Sequence, residues 1–105
     1  MTADSGPADA VEFDSVAEQI ADAVLALPGV VDLHSGLFGE VATYLPGRRV
    51  SGIAVRDEDG EVHIIADLAY DLQEVAAKVR DTAESITGLP FSVVVEDIEQ
   101  TRRAG

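Results

Sequence analysis

Residues 28 to 55 read PGVVDLHSGLFGEVATYLPGRRVSGIAV. The block holds five of the nine glycines (Gly29, Gly36, Gly39, Gly47, Gly52), two of the four prolines and the Arg48-Arg49 pair. Tight turns and close backbone approaches are therefore concentrated in it. Val30 to His34 is short and β-branched, and reads as a strand with Val31 and Leu33 facing inward. Ser35 to Gly39 is a turn, and Pro46-Gly47 a second one. Between them, Glu40 to Leu45 fits strand alternation through Val41, Thr43 and Leu45, and fits a short helical turn through Val41, Tyr44 and Leu45. Arg48-Arg49 leads into a strand over 50–56 with Ile53 and Val55 on one face.

Outward from this block the periodicity is plainer. Upstream, Ser15-Val16-Ala17-Glu18 has capping-box spacing, and Val16, Ile20, Ala23, Val24 and Leu27 recur at helical intervals until Pro28-Gly29. The spacing predicts a helix over 15–27. Residues 1 to 14 are small, polar and acidic and read as a disordered arm. Downstream, Asp57 to Gly60 closes a hairpin, with Gly60 expected to supply a positive φ. The strand predicted over 61–70 puts Val62, Ile64, Ala66 and Leu68 on one face, with His63 and Asp67 on the other. Asp71 heads a second helix with the stripe Leu72, Val75, Ala76, Val79, Ala83 and Ile86, stopped by Gly88-Leu89-Pro90. A last strand follows over 91–98, and 99–105 is a frayed tail.

The order is α-β-β-β-α-β. It predicts an α+β fold: a two-layer sandwich in which two helices cover one face of a mixed sheet of three to four main strands. Strand 50–56 pairs antiparallel with 61–70, and the helical crossover from 61–70 to 91–98 makes that pair parallel. One domain, residues 15–98, accounts for a chain of 105 residues.

Composition narrows the function classes. Twenty acidic residues against seven basic ones give a net charge of −13, a field that repels phosphate backbones and anionic lipid. No nucleic-acid partner and no direct membrane insertion are expected from it, and a cationic surface is the favoured partner. With no cysteine there is no disulfide, thiolate nucleophile or thiolate metal site. The first residues have neither the basic nor the apolar region of a signal peptide, which predicts a cytoplasmic protein.

Few residues point to chemistry. His34 and Ser35 are adjacent, and on a strand they face opposite ways, which separates nucleophile from base. His34 and His63 would make a metal pair only if the sheet brought them together, with Asp32 or Asp67 beside them, and surface positions are expected for both. Asp57, Glu58, Asp59 and Glu61 crowd round Gly60 without the spacing of an EF-hand loop. Catalytic residues, cofactor and metal are all expected to be none. Gly36-Leu37-Phe38-Gly39 has the GxxG outline of a KH-type RNA-binding loop, with Arg48 and Arg49 as its nearest cations. Arg48-Arg49 is also a local positive knob on a negative molecule, suited to a head-to-tail contact between copies. Leu37, Phe38 and Tyr44 would supply its apolar part.

Several of these features occur together in one known pattern. Pro28-Gly29-Val30 ends a helix, Ser35-Gly36-Leu37 and Gly39 form a glycine-rich turn, Gln73 to Ala76 opens a helix and Thr87-Gly88-Leu89 precedes the closing strand. Over about residues 15 to 98 the sequence resembles the alkaline shock protein family, also called the Gls-type envelope stress response family. The resemblance implies a non-enzymatic cytoplasmic protein that self-associates and is recruited near the membrane by an anchored partner. Arg48, Arg49, Leu37, Phe38 and Tyr44 are the residues expected at a functional interface. The alternative is a KH-like RNA-binding module using Gly36 to Gly39 with Arg48 and Arg49.

Overall fold

The computed structural model describes residues 16–100. The expected arm over 1–14, the Ser15 cap and the last five residues lie outside them. The elements are α1 (Val16–Leu25), β1 (Val30–Leu33), β2 (Ala42–Leu45), β3 (Arg48–Ser51), β4 (Ile53–Val55), β5 (Gly60–Asp67), α2 (Leu72–Thr87) and β6 (Phe91–Glu99). Both helices pack on one face of a mixed sheet, so the α+β fold expected from the sequence is the fold observed.

β5 is the centre of that sheet. β6 runs parallel to it along its whole length, from Gly60 against Phe91 to Asp67 against Glu99. The other edge is shared: β4 pairs antiparallel with the first half of β5 and β1 with the second half. Alternation along β5 points Val62, Ile64 and Ala66 toward the helices, where they are fully buried against Ile20 and Val24 of α1 and Val75 and Val79 of α2. Glu61, His63 and Ile65 point to the opposite face.

α2 begins and ends where its sequence says it should. Asp71 accepts hydrogen bonds from the Gln73 and Glu74 amides at 3.0 and 3.2 Å, and Gly88 closes the helix at φ +74°. α1 is shorter than its periodicity predicts and buries a different stripe, Ala17, Ile20, Ala21 and Val24. Glu18, expected to reach back to the helix start, is held instead by Arg48 of β3.

Four further expectations are corrected. A bulge between Val30 and Asp32 breaks the two-residue period of β1, so Val30 and Leu33, not Val31 and Leu33, pack on the core. β5 stops at Asp67, whose carboxylate accepts from the Ala69 amide and turns the chain, leaving Leu68 exposed. The strand expected over 50–56 is two strands, interrupted at Gly52 (φ +82°). Gly60 is not in the left-handed region; it lacks a side chain because the Phe91 ring and the Ala54 carbonyl occupy the place where a Cβ would sit.

The interruption at Gly52 creates the feature that distinguishes this fold from a plain sandwich. Residues 42–45 form β2, which resolves the ambiguous segment as strand, and β2 pairs with β3 in a separate antiparallel hairpin across Pro46-Gly47. The hairpin is tied back to the sheet at its base: the Gly52 amide donates to Val41 O at 2.7 Å, and Gly52 O accepts from the His63 amide at 2.9 Å.

Candidate functional site

The turn between β1 and β2 is held by five hydrogen bonds, one of them from the Gly36 amide to His34 Nδ1. The Gly39 amide donates to Gly36 O at 3.2 Å and the Val41 amide to Ser35 O at 2.8 Å. The Glu40 carboxylate accepts from the Phe38 amide at 3.0 Å, and the Arg49 guanidinium donates to Gly39 O at 3.5 Å. Gly36 and Gly39 both have positive φ, which lets the chain reverse this tightly. The result is a fixed turn that points two large apolar side chains into solvent: Leu37 is 83% exposed and Phe38 90%.

The neighbouring hairpin separates the two arginines. The register places Leu45 opposite Arg48 and Tyr44 opposite Arg49. Successive residues of a strand face opposite ways, so Arg48 turns inward and Arg49 outward. Arg48 reaches Glu18 of α1, Nε to Oε2 at 2.6 Å. Arg49 lies over the ring of Tyr44, 5.9 Å from its centroid, and among the described residues it makes no ion pair. All five residues expected at an interface are exposed, with Leu37 and Phe38 on the turn and Tyr44 and Arg49 on the outer face of the hairpin. Arg48 is occupied by a contact inside the chain.

Two depressions flank the hairpin. One, of about 580 Å³, is polar and open, with Asp32, His34, Ser35, Arg49 and Ser51 in its walls. The other, of about 470 Å³, is mostly apolar and lies between β2, the start of α1 and the end of α2. In the polar one, His34 Nδ1 accepts from the Gly36 amide at 2.9 Å, so it serves as a turn anchor.

On the sheet face away from the helices, β5 and β6 build a group that sequence reasoning missed. His63, expected at the surface, is only 7% exposed. Its Nε2 faces Glu61 at 2.8 Å and its Nδ1 faces Glu96 of β6 at 2.6 Å. A second bulge, opposite the Ile64-Ile65 step, brings Glu96 to the imidazole. Ionised carboxylates only accept, so this arrangement favours the imidazolium, in which both ring nitrogens donate. Burial lowers the pKa of His63, but the hydrogen bonds and charges of Glu61 and Glu96 outweigh it and raise the pKa above the ordinary 6.5. Glu61 is held below the usual carboxylate range by its bond to His63 and then by Arg56, which also pairs with Asp59. Two of the four carboxylates round Gly60, Asp59 and Glu61, thus close on Arg56.

The sheet does bring His34 and His63 close together. The His34 amide donates to His63 O at 2.9 Å, so the two backbones are adjacent. Both nitrogens of His63 are nonetheless taken by carboxylates on opposite sides of the ring, which cannot converge on one ion. Among the described residues, no group of three or more histidine and carboxylate side chains is placed to hold a metal. Nor is any helix among them long and apolar enough to cross a membrane. The GxxG segment joins two strands, β1 and β2, with no helix at either end.

Fold and surface together define a two-layer α+β domain with an inserted hairpin, β2–β3, preceded by a turn that exposes Leu37 and Phe38. No family model, curated protein or solved structure matches the chain.

Proposed function

We propose that this chain is a non-enzymatic binding protein of the alkaline shock type, acting in the cytoplasm by self-association and by docking to a membrane-anchored partner during envelope stress. The stress role, the compartment and the anchored partner rest on the sequence resemblance over about residues 15 to 98. One observation carries the binding role: the turn that holds Leu37 and Phe38 at 83% and 90% exposure. Each such side chain gains about 1.5–3 kcal/mol on burial. A turn already held by five hydrogen bonds loses little further freedom when it docks. Arg49, unpaired by any carboxylate among the described residues, adds a cation beside the apolar pair on a molecule of net charge −13. That combination fits an acidic partner surface, which a second copy supplies.

Light scattering over a range of protein and salt concentrations tests this. The mass is expected to rise above the 11.0 kDa of one chain as concentration increases. The Arg49→Glu variant is expected to associate more weakly. A native chain that stays at the mass of a monomer throughout would overturn the self-association reading.

A further inference from the structure

We propose that the contact between copies is a knob in a cleft: Leu37 and Phe38 of one chain enter the apolar cleft between β2, α1 and α2 of the next. The inference rests on the self-association reading and names the surfaces that would carry it.

The cleft has the chemistry and size to receive such a knob. It measures about 470 Å³, and its apolar walls include Val16 of α1, Leu45 of β2, Val55 of β4, and Ile86 and Leu89 at the end of α2. Leu45 is informative: it is half-buried, yet it is not among the side chains packed on the core, so it lines a surface that the fold leaves uncovered. The chain's own knob does not fill this space, since Leu37 and Phe38 stand in solvent.

Charge selects a second copy as the occupant. Asp57 stands at the mouth of the cleft, and among the described residues it makes no hydrogen bond or ion pair. Arg49 stands beside the knob and makes no ion pair either. The cleft thus offers an unpaired carboxylate, Asp57, and the knob turn an unpaired guanidinium, Arg49, beside the Glu40 carboxylate that holds the Phe38 amide. Docking the knob brings Arg49 toward Asp57 and offsets part of the repulsion between two chains of net charge −13. Leu37 and Phe38 do not line the cleft, although Tyr44, which Arg49 covers, does, so the contact is heterologous and joins copies head to tail.

Two variants test it by light scattering, with far-UV circular dichroism to confirm that each is folded. Phe38→Asp removes the knob at a position 90% exposed, and Leu45→Glu charges the cleft at a side chain outside the core. Each alone is expected to weaken association roughly 30-fold or more, as loss of a central anchor does. Mixed together, the two variants retain one good knob and one good cleft, and are expected to form complexes of two chains and no larger. A native chain that assembles while either variant assembles equally well overturns this contact and leaves self-association standing. Variants that are monomeric alone and stay monomeric when mixed overturn the head-to-tail pairing. A native chain that never assembles overturns both.

Discussion

The junction at Gly52 offers a test of why the sheet is interrupted there. Gly52 has φ +82°, and a Cβ added to it would lie 2.9 Å from Leu33 Cβ and 3.0 Å from both His34 N and His63 O. Two of those atoms are the backbone donor and acceptor of one hydrogen bond, His34 N to His63 O, and cannot retreat without disturbing it. Gly47, in the β2–β3 turn, has nearly the same dihedral, φ +77°, with nothing within 4 Å of the added Cβ. Gly47→Ala therefore measures the conformational cost by itself, roughly 1–2 kcal/mol. Gly52→Ala adds overpacking against fixed neighbours, a further ~1–3 kcal/mol. For a domain of this size a loss of ~3 kcal/mol lowers Tm by about 12–24 °C. Thermal and urea unfolding followed by far-UV circular dichroism read both variants against the native chain. A Gly52→Ala protein no less stable than Gly47→Ala would refute the claim that close backbone approach demands glycine at this position.

The charged group on the open sheet face makes stability depend on pH in a stated direction. The pKa of His63 is raised on folding, so its contribution is fully present below the ordinary value of 6.5 and is lost as pH rises through the higher folded value. Glu61 is lowered, so its contribution is present above the ordinary carboxylate value and lost as pH falls through the lower one. His63→Gln is expected to abolish the alkaline-side loss in urea unfolding measured against pH; a native His63 ring that titrates at or below 6.5 by NMR contradicts the assignment. At the start of α2, Asp71→Ala is expected to cost about 1 kcal/mol and Asp71→Asn much less, because asparagine also caps. Equal losses from the two substitutions would show that the cap bonds do not matter there.

What the sequence determined by itself was everything set by neighbours along the chain. Asp71, the apolar stripe of α2 and Gly88 specify a helix by capping and period, and the alternation of Val62, Ile64 and Ala66 specifies a half-buried strand. The turn at Pro46-Gly47 follows from residue chemistry, with Gly47 at φ +77°, and the helical crossover from β5 to β6 makes that pair parallel. Only the tertiary structure decided how the strands register. The bulge in β1 moves Val31 off the core, and the bulge opposite Ile64-Ile65 carries Glu96 to His63, 33 residues away in sequence. Neither bulge has a local signal, because an extra residue in a strand is chosen by the partner it must fit. The same holds for Arg48 and Arg49. Side by side in sequence they read as one positive knob, but once 42–45 pairs as a strand its register sends Arg48 to Glu18 and Arg49 to Tyr44. Local pattern therefore determined which elements form, and long-range pairing decided which side chains meet, since hydrogen-bond register and side-chain direction are settled only when two strands are laid together.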